Sequence, residues 1–303
     1  MGSLGAGKTG NDRKGCVMRK PIVSVNTLAF EGYDLSITVK VLAELGIQYV
    51  EFAFIKGYSE GLSESTFSAA TAKFLKKLLD EYGLKMVALA AHLDLGLKES
   101  VEAFKRRMDF AGRLGVNIIL TNSSTQENRT TFLHNIDKLA VRAESLGITI
   151  GLENPGDGTN NLIGSGEQGA KLIKEINSPF VRLNYDVGNT YSYSKGTIKP
   201  ENDIQYAYPC AIHFHFKDTK PDENGWVFSE IGRGVINYKE IIEFIKVQPE
   251  YLPIGLEMPL SVRRDKEFKP QKVPVPPSLS EIKRTVKQSY DFTLRSLAGI
   301  NED

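Results

Sequence analysis

Cysteine is almost absent: Cys16 and Cys210 are the two in a chain of 303 residues. One lies in a polar N-terminal stretch and the other in an apolar run. They make no disulfide framework, so a reduced, cytoplasmic protein is expected. Charge of one sign is lacking too. Lysine and arginine number 38 against 37 acids, a formal net charge of +1, which gives no electrostatic reason for a nucleic-acid or anionic-membrane partner. No apolar run approaches a membrane span, and no apolar signal segment follows the basic N-terminus. Histidine is scarce, with four in all. Against these absences, 41% of residues are apolar and 25% charged. That composition buries a full core in a soluble protein, and the length is ordinary for one α/β barrel.

Residues 2 to 9, GSLGAGKT, satisfy the phosphate-loop pattern G-x-x-x-x-G-K-S/T, with Gly2, Gly7, Lys8 and Thr9 in register. Such a loop needs a buried strand before it and a helix after it. Here only Met1 precedes, and NDRKGCVMRKP follows without an apolar period. Residues 1–20 are therefore read as a disordered or tag-like tail, and residues 21–303 as a single barrel domain.

Four segments repeat one design: ELGIQYVEFAF, EYGLKMVALAA, RLGVNIILTN and SLGITIGLEN. In each, a helical pattern ends at a glycine and a near-continuous apolar run follows. The glycines are Gly46, Gly83, Gly115 and Gly147, spaced 37, 32 and 32 residues apart. Glycine stops a helix cheaply in the left-handed conformation, and such runs suit strands buried on both faces. Eight runs can be counted, at 22–27, 48–54, 85–91, 117–122, 148–153, 180–186, 210–216 and 253–258. Helical patterns separate most of them. Residues 63–82 carry Phe67, Phe74, Leu75, Leu78 and Leu79 on one face. Residues 278–298 open with a capping box, Ser278 to Glu281. The connection between the sixth and seventh runs has the weakest helical pattern. Eight alternating units predict a closed (β/α)8 TIM barrel.

In such barrels chemistry sits at the C-terminal ends of the strands. Strand five ends in Glu153, strand six in Asp186 and strand eight in Glu257, and strand seven holds His213 and His215. One acid at a strand end reads as a helix cap or ion-pair partner. Metal-competent groups on four consecutive strands do not. A buried carboxylate is costly unless paired or bound to a cation, and a divalent ion resolves the repulsion of three of them. Glu153, Asp186, His215 and Glu257 form an oxygen-rich set that suits Mn²⁺, Mg²⁺ or Co²⁺, with Zn²⁺ as the alternative. His213 lies one layer deeper and is expected to be packed and hydrogen-bonded. His134 falls in the helix 127–146 and reads as structural or exposed.

LEN, D-x-G-N, H-x-K-D-T-K-P, the G-x-G of Gly232 to Gly234, and G-L-E-M, in this order, resemble the xylose-isomerase-like barrel superfamily of sugar isomerases and epimerases. The order spans about residues 22 to 298. The most similar pattern known to us is that of the L-xylulose-5-phosphate (L-ribulose-5-phosphate) 3-epimerases. The resemblance implies that Glu153, Asp186, His215 and Glu257 bind one divalent metal ion, and that Asn189 contacts substrate. It also selects His215, two residues before Lys217 and Asp218, over His213. The chain departs from the free-ketose epimerases at Pro221, where they carry an arginine, and at Thr159, where they carry an acid.

The chemistry expected is proton abstraction beside the carbonyl of a ketose or ketose phosphate. An enediolate forms, stabilised by the metal's positive charge. Glu153 and Glu257 are the expected acid–base pair, approaching the substrate carbon from opposite faces. Supporting contacts are expected from Glu51 and His92, at the ends of strands two and three, from Lys217, and from Arg233 in a mobile glycine pair. Ser123, Ser124, Arg263 and Arg264 lie on loops suited to a phosphate, and Trp226 can stack on a sugar or pack its own loop. The rival is a dehydratase of the inosose or dehydroshikimate type, which starts with the same proton removal. An abasic-site endonuclease of the same superfamily needs a histidine-rich three-metal site, for which this chain has too few histidines. A non-catalytic sugar-binding barrel would not need the glutamate pair. The stretch PLSVRRDKEFKPQKVPVPP, 259–277, is long for a βα connection. It is expected to shield the site and to contribute to a homo-oligomer.

Overall fold

The repeated helix stop is visible in the backbone of the computed structural model, which describes residues 20–59, 61–155 and 160–300. Gly83, Gly115 and Gly147 follow α2 (Ala69–Tyr82), α3 (Ser100–Leu114) and α4 (Arg129–Leu146) with φ of +68°, +81° and +64°. This left-handed residue turns each helix end into the strand behind it. Those strands are β3 (Lys85–Ala90), β4 (Ile118–Asn122) and β5 (Thr149–Glu153). Upstream lie β1 (Val23–Asn26), α1 (Leu35–Glu44) and β2 (Tyr49–Ala53). Downstream follow α5 (Gly166–Ile176), β6 (Val181–Asp186), α6 (Val187–Tyr193), α7 (Pro200–Ala207), β7 (Ala211–Phe216), β8 (Asp218–Asp222) and β9 (Gly225–Ser229). The chain continues through α8 (Tyr238–Lys246), β10 (Ile254–Leu256), β11 (Val262–Arg264), β12 (Pro270–Lys272) and α9 (Leu279–Leu297).

Eight strands close into a parallel barrel in the order β1-β10-β7-β6-β5-β4-β3-β2. They match the eight apolar runs. The weak sixth connection holds two short helices, α6 and α7. The helix expected over 63–82 is interrupted. Residues Glu64–Phe67 form a 3-10 turn, and Ser68 is extended and caps α2, its side chain accepting from the Thr71 N–H. The break resets the helical phase, so Phe67 is buried while Phe74 is half exposed. The Ser278–Glu281 capping box forms as expected. Cys210 precedes β7 in a turn, instead of lying in a strand. Its thiol donates to the Ala207 carbonyl, and burial pushes its pKa up to about 11.

Alternation along each strand divides the apolar residues. Leu89, Ile119, Ile150, Leu183, Phe214 and Phe216 pack outward with the helices. Ala88, Ala90, Ile118 and Leu120 form a smaller cluster inside the barrel, with Leu28 and Ala53. Ile212 packs against this inner cluster, at a register step where Leu183 faces Ala211 but Asn184 faces His213. The extra residue is a β-bulge, a device that re-aims side chains near barrel rims. No helix among the described residues is long and apolar enough to cross a membrane.

The stretch 259–277 is an ordered hairpin, β11–β12. It joins β8–β9 from the preceding βα connection in a four-stranded antiparallel sheet, β12-β11-β9-β8. This sheet lies over the C-terminal mouth of the barrel, since Phe228, Val262, Arg264 and Pro270 line the cavity there.

Candidate metal centre and substrate cavity

Register brings the polar residues together. Asp186 on β6 faces His215 on β7, and His215 faces Gly255 on β10, two residues before Glu257. On the other side Glu153 of β5 faces Asn184 of β6. Donor atoms of Glu153, Asp186, His215 and Glu257 all lie within 4.8 Å of one another, and all four residues are buried. His215 Nδ1 is 3.0 Å from Glu153 Oε2, 3.6 Å from Glu257 Oε2 and 3.8 Å from Asp186 Oδ2. Donors sharing an ion at bond lengths of about 2.0–2.2 Å stand at such separations. The group can hold a metal ion.

Hydrogen bonds aim these donors. Asn154 gives its side-chain N–H to the Asp186 carbonyl (2.9 Å) and to Thr190 Oγ1 (3.0 Å), and takes the Asp186 N–H (2.8 Å). Asp186 caps α6 through the Asn189 N–H, 2.7 Å. Asn189 Nδ2 then reaches Glu153 Oε1 at 3.1 Å. Lys217 threads past Gly188, where an added Cβ would fall 2.1 Å from Lys217 Cγ. Its Nζ sits 2.7 Å from Asp186 Oδ2, contacts Glu257 Oε2 and donates to Asn189 Oδ1. The glycine therefore lets the ammonium enter the carboxylate cluster.

The electrostatics fit a cation. Burial disfavours the Glu153 carboxylate, yet the charges of His215, His92 and Lys217 hold its pKa down to about 2. Asp186 moves the other way. Burial, together with the like charges of Glu153 and Glu257, outweighs Lys217 and pushes its pKa up to about 7. Burial opposes charge on His215 and Lys217 as well. The surrounding carboxylates win in both cases and raise both groups above their ordinary values. A field that concentrates protons on imidazole and ammonium is one that also attracts a divalent ion. Asp186 Oδ2 is fully buried and faces both the Lys217 ammonium (2.7 Å) and His215 Nδ1 (3.8 Å).

The substrate-contact expectations divide. His92, Asn189 and Lys217 line a cavity of about 220 Å³ together with Glu153 and Glu257. His92 Nε2 stands 3.5 Å from Glu153 Oε2. Glu51 does not reach the rim. It is fully buried below His215, with Oε1 2.8 Å from His215 Nε2 and 2.5 Å from Asn26 Nδ2, and Oε2 3.2 Å from His213 Nε2. It is the middle residue of β2 and not its end, so its inward side chain meets β7 across the barrel before it meets the cavity. Burial opposes its charge, and the imidazoles of His215 and His213 overcome this and hold it well below the usual carboxylate range. His213 is packed, its Nδ1 2.9 Å from Asn184 Oδ1.

The loop holding Arg233 is pinned, not mobile. Asp218 accepts the N–H groups of Gly232 (3.0 Å), Gly234 (2.9 Å) and Ile236 (3.3 Å) as well as that of Thr219 (2.9 Å). Arg233 is exposed and is not part of the cavity wall. Of the phosphate candidates, Arg264 lines the cavity, Arg263 pairs with Asp222 at 2.6 Å, and Ser123 and Ser124 are buried away from it. Trp226 packs its own sheet, stacked on Phe268 at 4.9 Å. Thr159 and the residues of the phosphate-loop match lie outside the described residues.

Sequence reasoning passed over the amides. Asn26, Asn122, Asn154 and Asn184 all build or line the site. Each ends a strand, follows one or sits two residues before an end, so the strand-end rule used for acids would have found them.

Residues 39–273 match the family described as xylose isomerase-like TIM barrel, and the chain belongs to that family. A sequence comparison with curated proteins gives no match. Solved structures give many. The L-ribulose 3-epimerase structure superposes with a TM-score of 0.69 at 15% identity, covering 93% of this chain and 96% of that one. The D-psicose 3-epimerase of Clostridium cellulolyticum, solved with D-tagatose, gives 0.70 at 15%, covering 91% and 99%. The probable 3-DHS dehydratase AsbF of Bacillus anthracis, involved in petrobactin synthesis, gives 0.66 at 16%, covering 92% and 100%. At such identities the likeness is one of fold.

Proposed function

We propose that this protein is a divalent-metal-dependent isomerase or epimerase acting on a small ketose or ketose phosphate. One observation carries the reading. Four metal-competent side chains converge on four neighbouring strands, and the two outermost, Glu153 and Glu257, both face the cavity. Glu153, Asp186, His215 and Glu257 would hold the ion; when bound, it supplies the positive charge that an enediolate requires. The protein's own groups do the rest. One glutamate takes the proton from the carbon beside the carbonyl, and the other returns a proton from the opposite face, inverting the centre. Return to the adjacent carbon would instead interconvert aldose and ketose. Asn189 orients Glu153, and Lys217 steadies Glu257. His92 gives a hydrogen bond to a hydroxyl. The cavity volume, about 220 Å³, lies below the ~300–1,000 Å³ of drug-sized ligand sites, which suits a five- or six-carbon substrate. The structures named for sugar 3-epimerases support this substrate class.

The second reading is a dehydratase, and His92 is the observation that favours it. An imidazole 3.5 Å from Glu153 can protonate a leaving hydroxyl on the β-carbon. One experiment covers both readings. Metal-stripped protein, with and without Mn²⁺, is incubated in D₂O with ketoses, ketose phosphates and cyclitol ketones. Mn²⁺-dependent deuterium uptake beside the carbonyl with the carbon skeleton intact is expected. Loss of water instead selects the dehydratase, and full turnover after metal removal sinks both.

A further inference from the structure

Beneath the candidate metal centre lies a second polar layer with no opening to solvent. Glu51, His213, His215, Asn26 and Asn184 are each 0% exposed. Glu51 is its hub, and His213 and Asn184 lead from there back to the upper layer. Asn26 Nδ2 and His215 Nε2 both meet Glu51 Oε1, at 2.5 and 2.8 Å, and His213 Nε2 lies 3.2 Å from Glu51 Oε2. His213 Nδ1 is 2.9 Å from Asn184 Oδ1, and Asn184 returns to the upper layer by donating Nδ2 to Glu153 Oε2 at 2.8 Å. The layer tolerates nothing extra. An added Cβ at Gly255, opposite His215, would fall 2.8 Å from Glu51 Oε2, 3.0 Å from His213 Cε1 and 3.1 Å from His215 Cδ2.

His215 therefore has a carboxylate at each end of its ring. Nδ1 faces Glu153, Asp186 and Glu257, and Nε2 faces Glu51 alone. When one nitrogen of an imidazole serves as ligand, the proton resides on the other, and the partner of that N–H decides which nitrogen ligates. We propose that Glu51 is the positioning residue of the centre: it holds the Nε2–H of His215, so that Nδ1 is the nitrogen offered to the cation, with the Asn26 amide N–H fixing Glu51 Oε1 in place. The inference rests on the proposed metal-dependent reading of the upper layer. A carboxylate behind a ligating imidazole also raises the basicity of that ligand. It accounts for an acid on β2, fully buried and far from any hydroxyl a substrate could present.

The test compares the full-length wild type with Glu51→Gln and needs no substrate. Mn²⁺ affinity is measured by titration calorimetry, Co²⁺ geometry by its visible spectrum, and metal-free stability by melting temperature. Glu51→Gln should bind Mn²⁺ about 10–100-fold more weakly and shift the Co²⁺ bands. If the variant melts lower but keeps wild-type Mn²⁺ affinity and an unchanged Co²⁺ spectrum, Glu51 is structural and the proposal fails. Should the variant not fold, nitrogen-15 spectra of labelled histidine in the Zn²⁺-loaded wild type decide. His215 Nδ1 should move to the ligated range while Nε2 keeps its proton, and ligation through Nε2 overturns the proposal. A wild type that takes up no metal sinks the functional reading together with this one. A wild type that binds metal while Glu51→Gln binds it equally sinks only this one.

Discussion

The barrel has one arc that brings acids to the cavity and one that brings none. β5, β6, β7 and β10, adjacent in the ring, bring Glu153, Asp186, His215 and Glu257 to one point, with Lys217 among them. β1 to β4 form the other half, and the cavity wall they and their loops supply is Leu28, Ile55, Lys56, Tyr58, His92 and Asn122. No carboxylate among the described residues faces the cavity from that side. The one acid of that arc in the site, Glu51, is turned beneath the acidic arc as support. Negative charge crowded on one side is what an ion needs, and a wall of hydrogen-bonding and apolar groups without acids is what a sugar needs. On the proposed reading the division separates holding the cofactor from reading the substrate.

The comparison is tested most severely on the acidic arc. Asp186→Asn or His215→Ala should lose the metal, and with it about a thousandfold or more of turnover. That corresponds to several kcal/mol of charge stabilisation at about 1.4 kcal/mol per tenfold. Metal analysis and turnover after adding Mn²⁺ check this, and a metal-free variant with wild-type turnover breaks the scheme. Next come the two flanking acids. Glu153→Gln and Glu257→Gln should each cost about 10²–10⁴ in turnover, the usual share of a general acid or base. Deuterium exchange in D₂O should fall in parallel with product formation.

On the arc without acids the effects should be smaller and of another kind. His92→Ala should raise KM several-fold, as loss of one hydrogen bond of about 1 kcal/mol implies, while metal content measured by atomic absorption stays at the wild-type level. If His92→Ala instead loses turnover as severely as the glutamates, the division of labour between the arcs is wrong and the dehydratase reading gains. The mildest effect on chemistry is expected from Gly255→Ala, which crowds the supporting layer. It should lower the melting temperature through about 1–3 kcal/mol of overpacking. Mn²⁺ affinity should weaken, with KM unchanged.

The barrel was legible because its signal is periodic. Glycine stops recur in four units and apolar runs in all eight, and each strand lies within a residue or two of its run. The ligand quartet was legible because carboxylates are conspicuous in apolar strands. The supporting layer was not. Whether Glu51 reaches solvent or a neighbouring imidazole depends on cross-barrel distance, which no spacing along the chain encodes. Arg233 shows the same limit: two nearby glycines suggest freedom, but Asp218 holds both of their N–H groups. The sheet β12-β11-β9-β8 was also out of reach. Its strands are three to five residues long, come from two separate connections and contain prolines, which argue against strands when read locally.

That sheet is fastened on two sides. Towards α6, Tyr191 lies edge-on to Trp226 at 5.7 Å, and Trp226 stacks on Phe268. Towards β1, Glu31 takes contacts from both Ser261 and Lys272. A cover tied at both edges governs time more than strength. Whatever occupies the cavity lies under this cover, which supplies Phe228, Val262, Arg264 and Pro270 to the wall. Residence time and affinity then become separable quantities: loosening the contacts of Tyr191 with Trp226 and Phe268 should hasten both arrival and departure and leave their ratio nearly unchanged.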